Sequence, residues 1–408
     1  MQIAQLLAAG DTAQISQSGA YFHYYLVRFP YQCGLLSIYE VLVRIFGATP
    51  ALAVARLINL GMLLSAYAAL LMTTQRLFHD EWVTLLTAIF MCLCLQPVLS
   101  TTFVYGLIPA LALSIWALYF VVRYLQTAKK RNIIPAAALL MLAVYLRSNT
   151  WIVIAAVVIV LLMEAIRARK LTPILLGLLI VVLALPLPKL AQQYYETRLD
   201  TSFGSGYPKS YWMAMSLQDG QKAAGWHVSD YQVEMEQTYG EDVAAIDTRA
   251  KQDIRAGIAG LFNSPARLCE YLYEKLVSQW NEPTFLSIWI TKSVKAYEDP
   301  GALAKAVYND QTEAAFRQAE GYVLRVLYAA LCIGVFALLR RRGTERLLMP
   351  LVIFGGALFH LIFEAKSQYV VEYLPLIWPI AALGIVSLGR WLWRAPAYLQ
   401  MTQQEEQP

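Results

Sequence analysis

The sequence predicts an all-α polytopic membrane protein of about nine transmembrane helices with one extracytoplasmic, mainly helical domain. Three observations carry that expectation. Of 408 residues, 58% are hydrophobic and only 15% are charged, whereas soluble domains run at about 45–50% and about 25%. Apolar runs able to cross a bilayer core of ~30 Å recur along the chain. The basic residues gather in short loops on one side of those runs.

Spans fall at 51–74, 82–98, 104–126, 132–146, 149–165, 172–190, 321–339, 347–364 and 370–390, of which 132–146 is short. They divide the chain into an outer loop with an interfacial helix at 1–50 and a six-helix membrane region at 51–190. An extracytoplasmic domain at 191–320, a three-helix membrane region at 321–392 and a cytoplasmic tail at 393–408 follow. Arg76, Lys129, Lys130, Arg131, Arg167, Arg169, Lys170, Arg340, Arg341, Arg342, Arg346, Arg390 and Arg394 share one side, thirteen in all. Only Arg147 and Lys366 occupy the opposite short loops. Because basic loops stay in the cytoplasm, this asymmetry puts the polar domain outside. The net charge of +5 is therefore a topology signal and no sign of a nucleic-acid partner. Ten Trp and 25 Tyr suit membrane interfaces.

The five cysteines, an odd number, imply no disulfide framework, although Cys33 and Cys269 could bridge outside the membrane. No cysteines and histidines stand at zinc-ligand spacing. The sequence requires no cofactor, and nothing in it supports a divalent metal. The first residues lack a basic n-region and a sustained apolar core, so no signal peptide is expected.

The stretch RFPYQCGLLSIYEVLVRIFG at 28–47 is apolar yet carries Ser37, Glu40 and Arg44 on one helical stripe. Glu40 precedes Arg44 by four residues, the favourable order for an intrahelical pair. Burying that pair in hydrocarbon costs several kcal/mol, so an interfacial helix on the outer face is expected. A core helix of the outer domain is the alternative. In the outer domain, Ser264-Pro265 starts a helix that places Leu268, Leu272 and Leu276 on one face and ends near Trp280. The Gly/Tyr/Trp-rich run at 204–227 reads as loop.

Ionisable groups at span ends are functional candidates. Arg147 and Asn149 sit in the turn LRSNTW, on the side that excludes positive charge. His360, Glu364, Lys366, Gln368, Tyr369, Glu372 and Tyr373 crowd FHLIFEAKSQYVVEYLPLIWP. Arg56 and Asn59 open the first span, and Asp11, His23, Tyr24 and Arg28 precede it. His23 reads as an interfacial aromatic rather than a ligand, having no second histidine at metal spacing. Arg56, Arg147 and Lys366 on one face suggest an anion at the interface, a lipid phosphate or pyrophosphate.

RFPYQCGLLSIYEVLVRIFG, ARLINL (55–60), LRSNTWIVIAAV, GYPKSYWMAMSLQDG with AGWH, EKLVSQWNEP (274–283) and EAKSQYVVEYLPLIWPIAALG occur in an order that resembles the GT-C superfamily of polytopic glycosyltransferases. It is most similar to the bacterial envelope branch related to aminoarabinose and protein O-mannosyl transferases. The resemblance covers nearly the whole chain, though no single motif is highly specific. It implies a polyprenyl-phosphate-linked sugar as donor and an envelope glycan, lipid or protein as acceptor, joined on the outer face of the cytoplasmic membrane. It also implies a carboxylate early in the first outer loop as general base. Arg147 and Lys366 would bind phosphate, and Glu364, Tyr369 and Tyr373 would line the pocket.

The chain departs from that pattern. The family opens with a span and places its acidic residue just after it; here neither is found, and a missing first helix is the expectation. Asp11, the only carboxylate among the first 39 residues, inherits the base role. A truncated, non-catalytic paralogue that binds lipid-linked sugar is the alternative. A lipid-linked sugar carrier is another, disfavoured because no internal repeat is found and the polar groups gather at one face. An O-antigen-ligase-like enzyme would want more paired Arg and His in its large loop.

Overall fold

The computed structural model describes residues 1–218, 220, 223–292, 305–306 and 308–405, with backbone alone at Thr291 and beyond Trp393. Part of the 191–320 segment, the side chain of Arg394 and the end of the QQEEQP tail therefore lie outside the described residues. The chain is all-helical, with no strand among the described residues. Helices suit a membrane because they satisfy every backbone polar group internally.

Among the described residues, seven helices are long and apolar enough to cross a membrane: Ala48–Phe78, Leu107–Thr127, Ser148–Ala168, Thr172–Leu199, Asp310–Leu339, Glu345–Ile362 and Leu374–Trp393. The other two expected spans are helices of only 13 and 14 residues, Glu81–Leu93 and Ile133–Leu146. At a rise of 1.5 Å per residue each covers about 20 Å, short of a bilayer core. The expected span 82–98 is cut at Leu93, and a separate short helix runs Gln96–Ser100. Pro97 explains the cut. Its ring would clash with the Leu93 carbonyl, and it lacks the N–H that would bond to it. The Glu320 carboxylate caps the break, accepting from Leu95 N at 3.1 Å and from Gln96 Nε2 at 2.9 Å.

Alternation of the helices gathers 79–80, 128–132, 169–171 and 340–344 at one end and 94–106, 147, the described residues of 200–292 and 363–373 at the other. The first end is laced by Arg390 to Asp80 at 2.6 Å, Thr344 to Glu164 at 2.8 Å and Arg341 to the Phe78 carbonyl at 3.3 Å. In mid-bundle the 310–339 and 374–405 helices cross at two glycines. A Cβ on Gly334 would strike the Ile380 carbonyl, and one on Gly384 would strike the Ala330 carbonyl and come within 2.7 Å of Gly334 N. Small residues let membrane helices approach this closely.

At the opposite end, the polar segment folds into helices Lys209–Ser216, Ser229–Tyr239, Val243–Phe262 and Pro265–Trp280. Ser264 stands at the N-cap and Pro265 opens the last of these, as its sequence predicts. The run expected to be loop holds the 209–216 helix instead. That helix buries Tyr211, Ala214 and Met215 against Tyr231, Met235, Ile246 and Ala250, packing that outweighs its turn-rich composition.

The 28–47 stretch forms a helix from Cys33 to Phe46, preceded by a 3-10 turn at Pro30–Gln32. Its polar stripe faces the protein. Glu40, 5% exposed, accepts from Arg44 at 2.7 Å, from Arg198 at 2.7 Å and from the Tyr195 hydroxyl at 2.8 Å. Ser37 meets the Tyr145 hydroxyl at 2.6 Å. Ile38, Val41, Ile45 and Phe46 are left exposed on the outward side, where a lipid interface accommodates apolar residues. All five cysteines are free, so no bridge joins Cys33, which is buried, to Cys269, which is exposed.

Adding bulk at the glycine crossing should be destabilising. Gly384→Leu should cost about 1–3 kcal/mol and lower the Tm of the detergent-purified chain. Gly389→Leu on the same helix, where a Cβ meets nothing within 4 Å, should leave the Tm unchanged.

Candidate active site

The two candidate stretches, separate in sequence, meet at the end of the bundle that carries the polar helices. Arg147 ends the 133–146 helix in an extended conformation and so projects away from the helical run. There it forms an ion pair with Glu372, and both side chains are only 9% exposed. Breaking a buried pair of this kind costs about 3–5 kcal/mol, because the survivor is left charged without a partner. The Arg147 guanidinium also lies 5.2 Å from the Tyr105 ring centre and 5.8 Å from that of Tyr369. Guanidinium groups favour such aromatic faces.

Around this pair the 363–373 segment folds as a short irregular loop and a 3-10 turn, Ser367–Glu372. Glu364 pairs with Lys366 at 3.1 Å and accepts from the Tyr369 hydroxyl at 3.2 Å. Burial, then the charge of Glu364, pushes the Tyr369 phenol well above its ordinary range. His360 stacks on Tyr369 with ring centres 5.1 Å apart and shares a hydrogen bond between its Nδ1 and the Glu364 carbonyl at 2.8 Å. The Nε2 of His360 and the hydroxyl of Tyr373 are buried with no partner among the described residues. Buried polar atoms without partners mark places where another group is expected. A small cavity at Arg147, lined also by Ser100, Phe103, Tyr105, Leu107, Ser287, Ile290 and Gln368, has a volume of about 10 Å³, the size of one water.

The polar helices are joined directly to this loop. Ala365 N donates to the Gly225 carbonyl at 2.8 Å, and Ser216 Oγ donates to the Ile362 carbonyl at 3.1 Å. Beneath them Lys275 is 1% exposed. Its Nζ donates to Ser216 Oγ at 3.2 Å and Tyr271 Oη at 3.3 Å, with no described carboxylate in ion-pair reach. Burial drives its pKa from the ordinary 10.5 down to about 7.

The structure therefore brings Arg147, Glu364, Lys366, Tyr369 and Tyr373 together. Asn149 shares the 148–150 turn with partial exposure. Arg56 stands apart, donating to the Thr102 carbonyl at 3.2 Å, while Asn59 donates to the Thr101 carbonyl at 2.9 Å. These two residues pin the 101–103 loop, whose Phe103 lines the small cavity. Asp11 is exposed after the Gln2–Ala9 helix and lines no described cavity. His23 is buried, its Nδ1 3.0 Å from the Ile15 carbonyl and its Nε2 3.7 Å from Glu241. Two residues carry more than their sequence suggests. Glu372 was visible only as one polar group in a crowd, and nothing local marked Lys275 as buried.

Fold and site together define an all-helical, polytopic membrane protein with paired ions and aromatic walls at the end joined to its polar helices. No family model matches the chain, and no curated protein matches it. Among solved structures it resembles the oligosaccharyltransferase of Archaeoglobus fulgidus in the apo form, at 13% identity and a TM-score of 0.44, covering 97% of this chain and 52% of that one. It also resembles archaeal oligosaccharyltransferase AglB from Archaeoglobus fulgidus in complex with an inhibitory peptide and a dolichol-phosphate, at 12% identity and a TM-score of 0.43, covering 98% and 51%. The chain thus spans about half the length of the solved structures it matches.

The buried lysine has a pH signature. Its folded pKa lies below the unfolded one, so the unfolded chain binds the extra proton between about 7 and 10.5, and stability should rise with pH across that window. Lys275→Met should flatten the rise, as read by thermal unfolding at a series of pH values.

Proposed function

We propose that the chain is a membrane glycosyltransferase of GT-C type. It moves a sugar from a polyprenyl-phosphate donor to a cell-envelope acceptor on the outer face of a bacterial cytoplasmic membrane. The observation that carries this reading is the convergence of Arg147–Glu372 and Glu364–Lys366 in one aromatic-walled cluster at the bundle's end. The thirteen basic residues of the opposite loops support an outer position for that cluster. The motif order that resembles the superfamily supports the reaction.

The chemistry follows from the groups present. A carboxylate takes the proton of an acceptor hydroxyl as its oxygen attacks the anomeric carbon. The bond from that carbon to the phosphate oxygen breaks, and the lipid phosphate leaves with the electron pair. Glu364 fits the base role better than Asp11, because it lies inside the cluster and Asp11 is exposed outside it. Arg147 and Lys366 face the negative charge that develops on the leaving phosphate, the charge such preorganised groups stabilise. The phenol of Tyr369, hydrogen-bonded to Glu364 at 3.2 Å, orients the carboxylate.

A positioned base contributes about 10²–10⁴-fold to rate. Glu364→Gln should therefore lower sugar transfer from polyprenyl-phosphate hexoses in nanodiscs by about 10²-fold or more, with membrane insertion and Tm retained. Full transfer in that variant would remove Glu364 from the mechanism. Arg147→Ala alone should unfold the site by stranding Glu372. Arg147→Ala with Glu372→Ala should restore the Tm but not the transfer.

A further inference from the structure

Lys275 belongs to the Pro265–Trp280 helix, and its side chain stands where that helix meets two other stretches of the polar segment. Its stem lies against Gly225, where a Cβ would come within 2.6 Å of Lys275 Cε. Its Nζ reaches Ser216, the last residue of the Lys209–Ser216 helix. Both neighbours hold the segment that carries Glu364. The Gly225 carbonyl accepts from Ala365 N at 2.8 Å, and Ser216 Oγ lies 3.1 Å from the Ile362 carbonyl.

The hydrogen bonds at this joint select one form of the amine. Tyr271 gives its proton to the Ser216 carbonyl at 2.8 Å, and Ser216 Oγ gives its own to the Ile362 or the Met213 carbonyl. Lys275 therefore donates to both hydroxyls, at 3.2 Å and 3.3 Å. A neutral amine has two N–H bonds, one for each hydroxyl. An ammonium has a third N–H and a full charge. Neither an acceptor for that third N–H nor a carboxylate in ion-pair reach stands at Nζ among the described residues.

The other ionisable groups around the joint are already committed or titrate elsewhere. On the same helix Tyr271 is the bonded partner and Glu274 is exposed. Asp253, on the Val243–Phe262 helix, is held by Arg249 and Tyr231. Across the joint Glu364 pairs with Lys366 and Glu372 with Arg147. His360 lies near enough to Lys275 to feel its charge, and its Nδ1 meets the Glu364 carbonyl. Burial lowers His227, two residues past Gly225, from the ordinary 6.5.

We propose that Lys275, as the neutral amine, latches the 363–373 loop and Glu364 with it to the outer helices, and that taking up a proton releases the latch. It is a positioning residue, acting on Glu364 through Ser216 and the loop backbone. Burial sets the range, because the closed joint holds the amine at a pKa of about 7 and an opened, wetted joint returns it to 10.5. The open form thus binds the extra proton across that window. Each unit of falling pH within it should raise the open fraction about 10-fold. Below about 7 both forms hold the proton, and the rise should stop. That release slows sugar transfer rests on the function proposed above; the latch itself does not.

Hydrogen exchange of the full chain in phosphatidylcholine nanodiscs, read by mass spectrometry on peptides spanning 362–366 and corrected for intrinsic rates, tests it. Wild-type protection should rise about 10-fold per unit from pH 7 to about pH 9 and stay level at lower pH. Lys275→Met, which keeps the stem without the charge, should be protected and flat. Lys275→Arg, charged at every pH, should be unprotected and flat. A flat wild type, a slope retained in Lys275→Met, or a protected Lys275→Arg overturns the proposal. So does the same slope in the 243–262 helix, which would mean that the outer helices unfold as a whole. A slope that depends on Lys275 in a chain that transfers no sugar keeps the latch and removes the glycosyltransferase reading. Sugar transfer with a flat wild type does the reverse.

Discussion

Arg147 and Glu372 are ionised groups buried where a membrane bundle meets its polar helices. Neither tolerates that position alone, since an unpaired buried charge costs several kcal/mol. Their pairing therefore fixes the turn after one short helix against the segment that opens the last span. Because the arginine is also flanked by Tyr105 and Tyr369, three stretches of chain that are remote in sequence share one geometry. The Glu364–Lys366 pair, the His360 stack and the small cavity beside Gln368 are arranged around that junction.

The same rule is applied elsewhere in the molecule. Glu40 would be costly in its buried position, yet Arg44, Arg198 and Tyr195 all donate to it. Burial tends to raise its pKa, and those hydrogen bonds outweigh burial and hold it below the ordinary 4.5. The helix that carries it is thereby fastened to a span that begins at Thr172. Glu320 performs the corresponding task at the Leu93 break, where its carboxylate accepts from Leu95 N and from Gln96 Nε2. Lys275 shows the other solution. With no described carboxylate in reach, it gives up charge rather than position.

What could be read from the sequence follows from how local each cause is. Apolar runs are local, so the nine helices were visible, including the shortness of the 133–146 helix; the cut that ends the second at Leu93 was not, because Pro97 acts four residues upstream of itself. The Ser37–Glu40–Arg44 stripe was legible as one helix with an internal pair. That it faces inward depends on Arg198 and Tyr195, more than 150 residues away, which no local pattern encodes. Arg147 announced itself by standing on the side that excludes positive charge. Its partner did not, since Glu372 gains its meaning only when the last span is docked. Asp11 came from the register of a resemblance and from no physical signal of its own, and the fold leaves it exposed.

The division between paired and unpaired cations bears on how such a site would use its charge. An arginine already matched to a glutamate adds little net attraction for an arriving anion, but its fork holds five donors and only part of it can face Glu372. It is thus suited to recognising geometry and to meeting charge that develops late. Lysines without partners do the opposite, attracting phosphate at a distance while imposing little direction on it. Arg147 is paired, whereas Lys189 and Lys209, which line one groove with Trp151, have no described carboxylate within ion-pair distance.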